Sequence, residues 1–310
     1  MRMKQIQLEL FPDQDRKCMY HKSDAKPEKG GGPSTFTYPA GDHQRNGLEE
    51  NPLRSDFPEI LAGEEFFKFA SGRLETWNLF HTLAIRIEPV ESEESERSRR
   101  KMEFSDAKVI AGDAMNAVAE LLDEICERYS GFWGIVDADC LGCFIPAKDA
   151  SEVLETAEKL REDIKKKTKA SASAGISVFP LLDYKREDIL ENALKALEHA
   201  SFLGPDNMVE FDAVSLNISA DKLYQKGDMD GAVKEFQRAL LMDSENINAR
   251  NSLGVCYGVK GEHAKALEEF EIAMRLDPED VMAPYNAGLT HLMTGDEEKA
   301  LEYFLKAYVL

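Results

Sequence analysis

The sequence has no uninterrupted apolar run of 18 residues, and its basic residues are too few to balance its acidic ones. The first absence argues against a transmembrane helix. The second leaves a net charge of −20 at pH 7, which disfavours nucleic acid and anionic membranes as main partners because both are negatively charged. The N-terminus lacks the apolar core of a secretory signal, and five cysteines in 310 residues do not resemble a disulfide framework. The sequence therefore predicts a cytoplasmic protein that binds neither nucleic acid nor membrane.

What the sequence does contain is a repeat of 34 residues in its last hundred positions. Small residues and phenylalanines recur at this spacing, as Gly254 and Gly288; Ala232, Ala266 and Ala300; Phe236, Phe270 and Phe304; and Gly227, Gly261 and Gly295. A fixed period of this length predicts stacked pairs of helices. The small residues let the helices approach, the phenylalanines fill the space between them, and the last set of glycines suits a left-handed cap after each first helix.

These positions resemble the tetratricopeptide repeat (TPR) family, with units at 213–246, 247–280 and 281–310. The resemblance implies an all-α helical repeat array that binds a protein or peptide on a concave face built from the first helix of each unit. The groove residues would be Asn217, Asp221, Asn251, Val255, Tyr285 and Leu289. This set lacks the combination of Lys, Arg and Asn with which similar arrays bind a C-terminal carboxylate, so a chaperone-tail ligand is not expected.

Two alternatives to ligand binding stay open for the array. The repeats could serve only to stack on the rest of the chain or on further repeats, as terminal repeats often do. Two copies could also form a homo-oligomer through the third repeat, because Tyr308, Val309 and Leu310 continue its apolar pattern and no polar capping helix follows.

The rest of the chain separates into two regions by composition. Residues 1–56 are rich in charge, contain Gly30-Gly31-Gly32-Pro33-Ser34 and have few clustered apolar residues, which predicts a disordered N-terminal arm. Residues 57–212 alternate strand-like segments (82–87, 132–136, 141–145 and 173–179) with helix-like segments (113–128, 150–167 and 186–202). This order predicts an α/β sandwich of the ferredoxin-like, nucleotide-cyclase type.

Short motifs within 57–212 resemble the GGDEF family, the fold of bacterial diguanylate cyclases. Gly112-Asp113-Ala114-Met115 is similar to the opening of a helix in that family, Ser173-Ala174-Gly175 to its Ser-x-Gly strand, and Gly204-Pro205-Asp206-Asn207 to its Gly-x-Asn turn. The resemblance implies a GTP site in which carboxylates from the first strand and from a hairpin hold divalent cations. Two glycines of that hairpin would let the backbone approach the phosphates.

The implied site is incomplete in this chain. The hairpin reads Asp137-Ala138-Asp139-Cys140, so both glycines and one of the two carboxylates are replaced, and Arg86 or a neighbour stands at the metal-ligand position of the first strand. Ser201 stands where the family has a phosphate-binding lysine. What remains is a vestigial nucleotide site without metal or cofactor, formed by Glu88, Asp113, Asp137, Asp139 and Asn207. The loss of cation ligands and of a lysine removes several kcal/mol of stabilisation from a bound triphosphate.

Cys140 and Cys143 form a CxxC sequence, a spacing that binds zinc or undergoes redox chemistry in some proteins. On a strand, residues three apart point to opposite faces. The sequence therefore favours two buried apolar cysteines over a metal site.

These features predict a non-enzymatic, cytoplasmic signalling or scaffold protein of bacterial type. The TPR array would bind a protein partner, and the degenerate GGDEF-like domain would be a structural or regulatory module. The alternative is a divergent diguanylate cyclase or a GTP-binding sensor that uses Asp139, Asp113 and Glu88.

Overall fold

The computed structural model describes residue 51 and residues 53–88, 104–146, 159–160, 162–164, 166 and 171–310. These residues fall into two compact units, one ending at Phe211 and the other comprising Asp212–Leu310. Within the described ranges, no helix combines the length and the apolar character needed to cross a bilayer. Most of the predicted N-terminal arm and the charged segment 91–101 lie outside the described residues.

The first unit is built on a mixed five-stranded sheet. Its strands are β1 (Phe80–Glu88), β2 (Phe132–Asp137), β3 (Cys140–Pro146), β4 (Ser171–Phe179) and β5 (Met208–Glu210), and its helices are α1 (Leu53–Asp56), α2 (Gly63–Leu74), α3 (Phe104–Tyr129) and α4 (Ile189–Leu203). The strand order is β2-β3-β1-β4-β5. All neighbouring pairs are antiparallel except β4 and β5, which are parallel. The described residues between 159 and 166 are also helical.

Helices cover both faces of this sheet. Successive strand residues point to opposite sides, so the strands supply apolar side chains to both faces. Leu83 and Leu141 belong to a core shared with Leu122 of α3, and Leu160 and Ile164 join the same core. On the other face, Gly175 leaves room for α4, since a side chain there would overlap the backbone of that helix. Gly134 and Gly142 likewise leave room for the ring of Phe66 on α2.

The structure confirms the predicted alternation of strands and helices but corrects the boundary at residue 56. Leu53 is fully buried in the core of the sheet, and the Oδ1 atom of Asn51 accepts a hydrogen bond from its backbone N–H at 3.1 Å. These residues, assigned to the arm from composition, therefore belong to the folded unit. The prediction also missed α2, whose apolar pattern is interrupted by Gly72, and β5, which has only three residues.

The second unit consists of six helices that pair within each repeat. They are α5 (Ala213–Gln225), α6 (Met229–Met242), α7 (Ile247–Val259), α8 (His263–Leu276), α9 (Met282–Met293) and α10 (Glu297–Val309). Phe236, Phe270 and Phe304 are buried on the second helix of each pair. The predicted all-α repeat array is therefore confirmed.

Glycines shape this array in the two ways that the sequence predicts. Gly227, Gly261 and Gly295 follow the first helix of each pair with φ of 84°, 79° and 82°, a conformation that disfavours a side chain. Gly254 lies against the ring of Phe270, and Gly288 against that of Phe304. Because the two helices of a pair pack around this ring, the position of Gly254 and Gly288 requires a small residue. The equivalent residue in the first repeat is Ala220.

We expect Gly254→Ala to destabilise the array. The added methyl would lie 2.5 Å from the Cε1 atom of Phe270, and overpacking of this kind lowers the free energy of unfolding by about 1–3 kcal/mol. Thermal and urea unfolding of the full chain measure the change. Gly72→Ala on α2 is the control, because no heavy atom lies within 4 Å of its added methyl. A Gly254→Ala protein as stable as this control would contradict the prediction.

A buried histidine makes the stability of the first unit dependent on pH. His81 is 4% exposed, and its Nε2 atom has no hydrogen-bond partner in the described part of the chain. Burial lowers the pKa of His81 from 6.5 to about 4. The unfolded state therefore binds more protons than the folded state between these two values, and stability falls as the pH drops through this window.

We expect this histidine to remove on the order of 3 kcal/mol of stability between pH 6.5 and pH 4. Melting temperatures at pH 7, 5.5 and 4 measure the effect in the wild type, in His81→Phe and in His81→Gln. Both variants should lose less stability on acidification than the wild type does. Parallel pH profiles for all three proteins would show that His81 is not responsible.

Candidate functional site

The six predicted groove residues form two rows across the first helices of the repeats. Asn217, Asn251 and Tyr285 make up one row, and Asp221, Val255 and Leu289 make up the other, because equivalent residues are 34 positions apart. A third row one helical turn further on, which the sequence prediction missed, comprises Gln225, Val259 and Met293. We call these three rows the first-helix face.

The two asparagines of the first row link one repeat to the next. The Nδ2 atom of Asn217 donates to Oδ1 of Asn246 at 3.2 Å, and that of Asn251 donates to Oδ2 of Asp280 at 2.9 Å. The acceptors also cap the following first helices, since Asn246 accepts from the backbone N–H of Ala249 and Asp280 from that of Ala283. Asn217 and Asn251 thus have a structural role, which the sequence prediction did not include.

Two of the predicted groove residues are buried. Tyr285 is 0% exposed, and its ring centroid lies 5.6 Å from that of Phe304. Val255 is 8% exposed. Their assignment to an exposed groove is corrected, because both side chains pack within the array and present little surface to a ligand.

The remaining surface of the first-helix face changes from polar to apolar along the array. Asp221 in the first repeat is half-buried, and burial raises the pKa of its carboxyl. Leu289 in the third repeat is also half-buried. Val259 and Met293 are 42% and 51% exposed. The 34-residue period combined with the i+4 spacing of a helix face would have identified these last two residues from the sequence.

We expect Asn251→Ala to weaken the junction between the second and third repeats. The change removes a hydrogen bond to the charged Asp280, and a partly exposed bond of this kind contributes about 1 kcal/mol to the free energy of unfolding. Asn248→Ala is the matched control, since Asn248 is exposed on the same helix. Urea unfolding of both variants checks the expectation. Equal stability of the two variants would argue against the structural role of Asn251.

The residues of the vestigial nucleotide site mostly lie at one edge of the sheet in the first unit. Strand β1 ends at Glu88, whose side chain lies outside the described part, and the backbone N–H of Ile87 donates to the carbonyl oxygen of Asp139 at 3.2 Å. The Asn207 carbonyl accepts from the backbone N–H of Ala174 in β4 at 2.9 Å. Asp113 is exposed on α3. Within the described residues it makes no hydrogen bond or ion pair with this edge.

An arginine occupies the place where the GGDEF resemblance puts a metal-binding carboxylate. The Nε atom of Arg86 lies 3.6 Å from Oδ2 of Asp139, and its Nη2 atom lies 3.7 Å from Oε1 of Glu198 on α4. A fixed guanidinium between two carboxylates repels a divalent cation and competes with it for Asp139. No three His, Cys, Asp or Glu residues of the described ranges are arranged to hold a metal ion. The residues present therefore do not fit the cations that the resemblance implies.

Two other residues of the vestigial site support turns. The Oδ1 atom of Asp137 accepts from the backbone N–H of Ala138 at 2.7 Å. Asn207 donates through Nδ2 to the carbonyl oxygens of Gly204 and Pro205 at 3.0 and 3.2 Å. Short polar side chains commonly stabilise turns in this way.

The cysteines of the CxxC sequence point to opposite faces of β3, as the sequence predicts. The Sγ atom of Cys143 lies 3.5 Å from that of Cys126 on α3, whereas Cys140 is not part of that core. Burial is the main cause that raises the pKa of the Cys140 thiol to about 12. The pair therefore cannot bind a single metal ion without rearrangement of the strand, and Cys140 stays a thiol at neutral pH.

The family model that matches this chain lies within the second unit. No curated protein matches the chain. Similar solved structures include the second TPR of Spaghetti (RPAP3) bound to an HSP90 peptide, with 18% identity, coverage of 32% of this chain and 92% of that chain, and a TM-score of 0.31. PcrH in complex with the chaperone binding region of PopB has 27% identity, 31% and 77% coverage and a TM-score of 0.30. The type III secretion translocator chaperone SycD of Yersinia enterocolitica has 24% identity, 31% and 72% coverage and a TM-score of 0.30.

The family comparison covers residues 219–310. A family model described as tetratricopeptide repeat matches residues 219–273 and 259–310. The GGDEF resemblance of residues 57–212 gains no support from these comparisons. The C-terminal region of this chain therefore carries tetratricopeptide repeats.

Proposed function

We propose that this protein is a non-catalytic scaffold whose TPR array binds a segment of a partner protein. Residues 57–212 would then be a degenerate GGDEF-like module with a structural or regulatory role in cytoplasmic signalling. The observation that carries the proposal is the exposed apolar surface of the first-helix face. The match to the TPR family model supports it, because arrays of helix pairs present such faces to partners.

The first-helix face suits a peptide with apolar and basic side chains. Val259 and Met293 are exposed on a chain of net charge −20, and apolar surface on such a face is stabilised when a partner covers it. Asp221 is the acidic residue among the three rows, and the cause of its raised pKa is burial alone. A lysine or arginine of the partner beside Asp221 would favour its charged form.

Our expectation that the chain lacks cyclase activity rests on the ion pairs of Arg86. A bound triphosphate needs cations to neutralise its charge. Here the surviving hairpin carboxylate, Asp139, is already paired with a side chain of the protein. Asp137 and Ala138 replace the two glycines, so the hairpin adds negative charge and resists the backbone conformation of a phosphate-binding turn. The strand order, in which β1 lies between β3 and β4, is compatible with the cyclase-type sheet that the resemblance implies.

We expect the full chain to bind peptides that combine apolar residues with lysine or arginine. An array of 15-residue peptides of graded composition identifies a binder, and fluorescence anisotropy then measures its affinity for each variant. Met293→Lys should weaken binding at least tenfold, because it places a positive charge on the apolar part of the first-helix face and repels a basic peptide. Leu241→Lys is the matched control, since Leu241 is 68% exposed on α6 and lies outside that face. Equal binding by the two variants, or no saturable binding to any peptide, would refute the proposal that the first-helix face binds a peptide.

We also expect no turnover of GTP. The purified chain with GTP and Mg²⁺ or Mn²⁺ should release no pyrophosphate, and GTP should not shift its melting temperature. A divergent cyclase or GTP sensor would instead consume or bind GTP, and it would lose that property in Asp139→Ala. Asp183→Ala, which alters an exposed carboxylate, controls for a general change in charge.

A further inference from the structure

The first unit contains two cysteines that lie in contact although they are 17 positions apart in the sequence. The Sγ atoms of Cys126 on α3 and Cys143 on β3 are separated by 3.5 Å. Both residues belong to the core between this helix and the sheet, with exposed fractions of 6% and 0%, and both are free thiols. A disulfide bond holds its sulfurs at about 2.05 Å, so these two sulfurs are within about 1.5 Å of bonding distance.

This pairing differs from the one that the CxxC sequence suggests. Cys140 points to the other face of β3, where its Sγ atom lies 3.9 Å from the carbonyl oxygen of Leu141. Cys256 belongs to the second unit. Among the cysteines that the structure describes, only Cys126 and Cys143 bring their sulfur atoms together.

Neighbouring residues hold the two thiols in position. In the sheet, Cys143 lies opposite Trp133 on β2 and Leu83 on β1. The Nε1 atom of Trp133 donates to Oδ1 of Asp123 at 3.1 Å, and Asp123 lies one helical turn before Cys126 on α3. Trp133 thus connects the strand pair to the helical turn that carries Cys126. Two reacting groups held in contact lose little freedom when they react, which favours the reaction.

We propose that a peroxide oxidises Cys126 and Cys143 to a reversible disulfide, which gives the first unit a redox-sensitive cross-link between α3 and β3. Disulfides of cytoplasmic proteins are usually transient and often serve to sense oxidants. The cross-link lies within the first unit and involves no residue of the TPR array, so it does not rest on the proposed function.

The oxidation has two steps, and Cys126 reacts first because it is the more exposed of the two. Its thiolate attacks one oxygen of hydrogen peroxide, the O–O bond breaks, and the hydroxide that leaves takes up the proton that the thiol has lost. The Sγ atom of Cys143 then attacks the sulfenic sulfur of Cys126. The S–S bond forms, the S–O bond breaks, and the hydroxyl group leaves as water with the Cys143 proton. The pair loses two electrons, and peroxide is reduced to two molecules of water.

This order of steps agrees with the acidity of Cys143. The hydrogen bond with Cys126 and burial raise the pKa of Cys143 well above that of an ordinary thiol. Cys143 therefore stays protonated at neutral pH and does not itself attack peroxide, since the thiolate is the nucleophile. It lies against Cys126, however, and is in place to react once Cys126 has become a sulfenic acid.

Oxidation of the full chain carrying Cys18→Ser tests the proposal. This substitution removes the cysteine that lies outside the described residues, so the remaining thiols are those of Cys126, Cys140, Cys143 and Cys256. Treatment of the folded protein with hydrogen peroxide should lower the thiol count, measured after denaturation, from four to two. Mass spectrometry of proteolytic peptides should find Cys126 joined to Cys143, and dithiothreitol should restore the thiols.

The melting temperature shows whether the cross-link fits the native fold. Both tryptophans of the chain, Trp77 and Trp133, lie in the first unit, so a thermal melt followed by tryptophan fluorescence reports on that unit. Oxidation closes a short loop and should raise this melting temperature by about 5 °C, and reduction should reverse the change. Cys126→Ala and Cys143→Ala should each abolish both the cross-link and the rise. Cys140→Ala is the matched control, since it removes a buried thiol from the other face of β3 and should keep both.

The proposal is overturned if the folded protein keeps all its thiols in peroxide, or if Cys126 is oxidised without joining Cys143. It is also overturned if the cross-link forms but leaves the melting temperature unchanged or lowers it, because the bond would then not fit the native packing. Loss of the cross-link in Cys140→Ala to the same extent as in Cys126→Ala would contradict the pairing as well.

Discussion

The close approach of two helices around a phenylalanine ring determines the geometry of the TPR array. Gly254 faces Phe270 and Gly288 faces Phe304, and a side chain at either glycine would occupy the space of the ring. Because the contact recurs every 34 residues, each helix pair adopts the same internal packing. The first-helix face depends on this packing, since it positions equivalent residues of successive repeats beside one another. The side of each second helix that receives the next repeat depends on it as well.

The features that the sequence predicted well are those with local causes. The left-handed glycines, the buried phenylalanines and the alternation of strands and helices follow from backbone conformation and from apolar spacing, which a short window of residues records. The features that it missed depend on partners distant in the chain. From the sequence, Asn217 was assigned to ligand recognition, but in the structure it is bonded to Asn246. Tyr285 was assigned to the groove, but its ring packs against that of Phe304. Leu53 likewise has no local signal that distinguishes it from the arm, because its burial comes from packing against the sheet unit.

The candidate nucleotide site combines backbone segments that lie close together with side chains that do not suit a bound cation. The end of β1, the β2–β3 hairpin and the start of β5 come together at one edge of the sheet. A positive side chain lies there, because Arg86 forms ion pairs with Asp139 and with Glu198. The GGDEF resemblance placed Arg86 or a neighbour at the position of an acidic residue, but only the structure identifies Asp139 and Glu198 as the carboxylates beside Arg86. Glu198 carried no sequence signal, since it lies on a helix more than one hundred residues along the chain.

The hydrogen bonds of Asn217 and Asn251 have a consequence for any molecule that lies along the array. Each bond joins a first helix to the residue that caps the next first helix. The same kind of hydrogen bond therefore holds both pairs of adjacent repeats at a similar spacing. The array therefore presents equivalent residues at a constant spacing. A peptide bound along it in an extended conformation would contact Gln225, Val259 and Met293 in turn, and the order of the peptide's own side chains would determine its orientation.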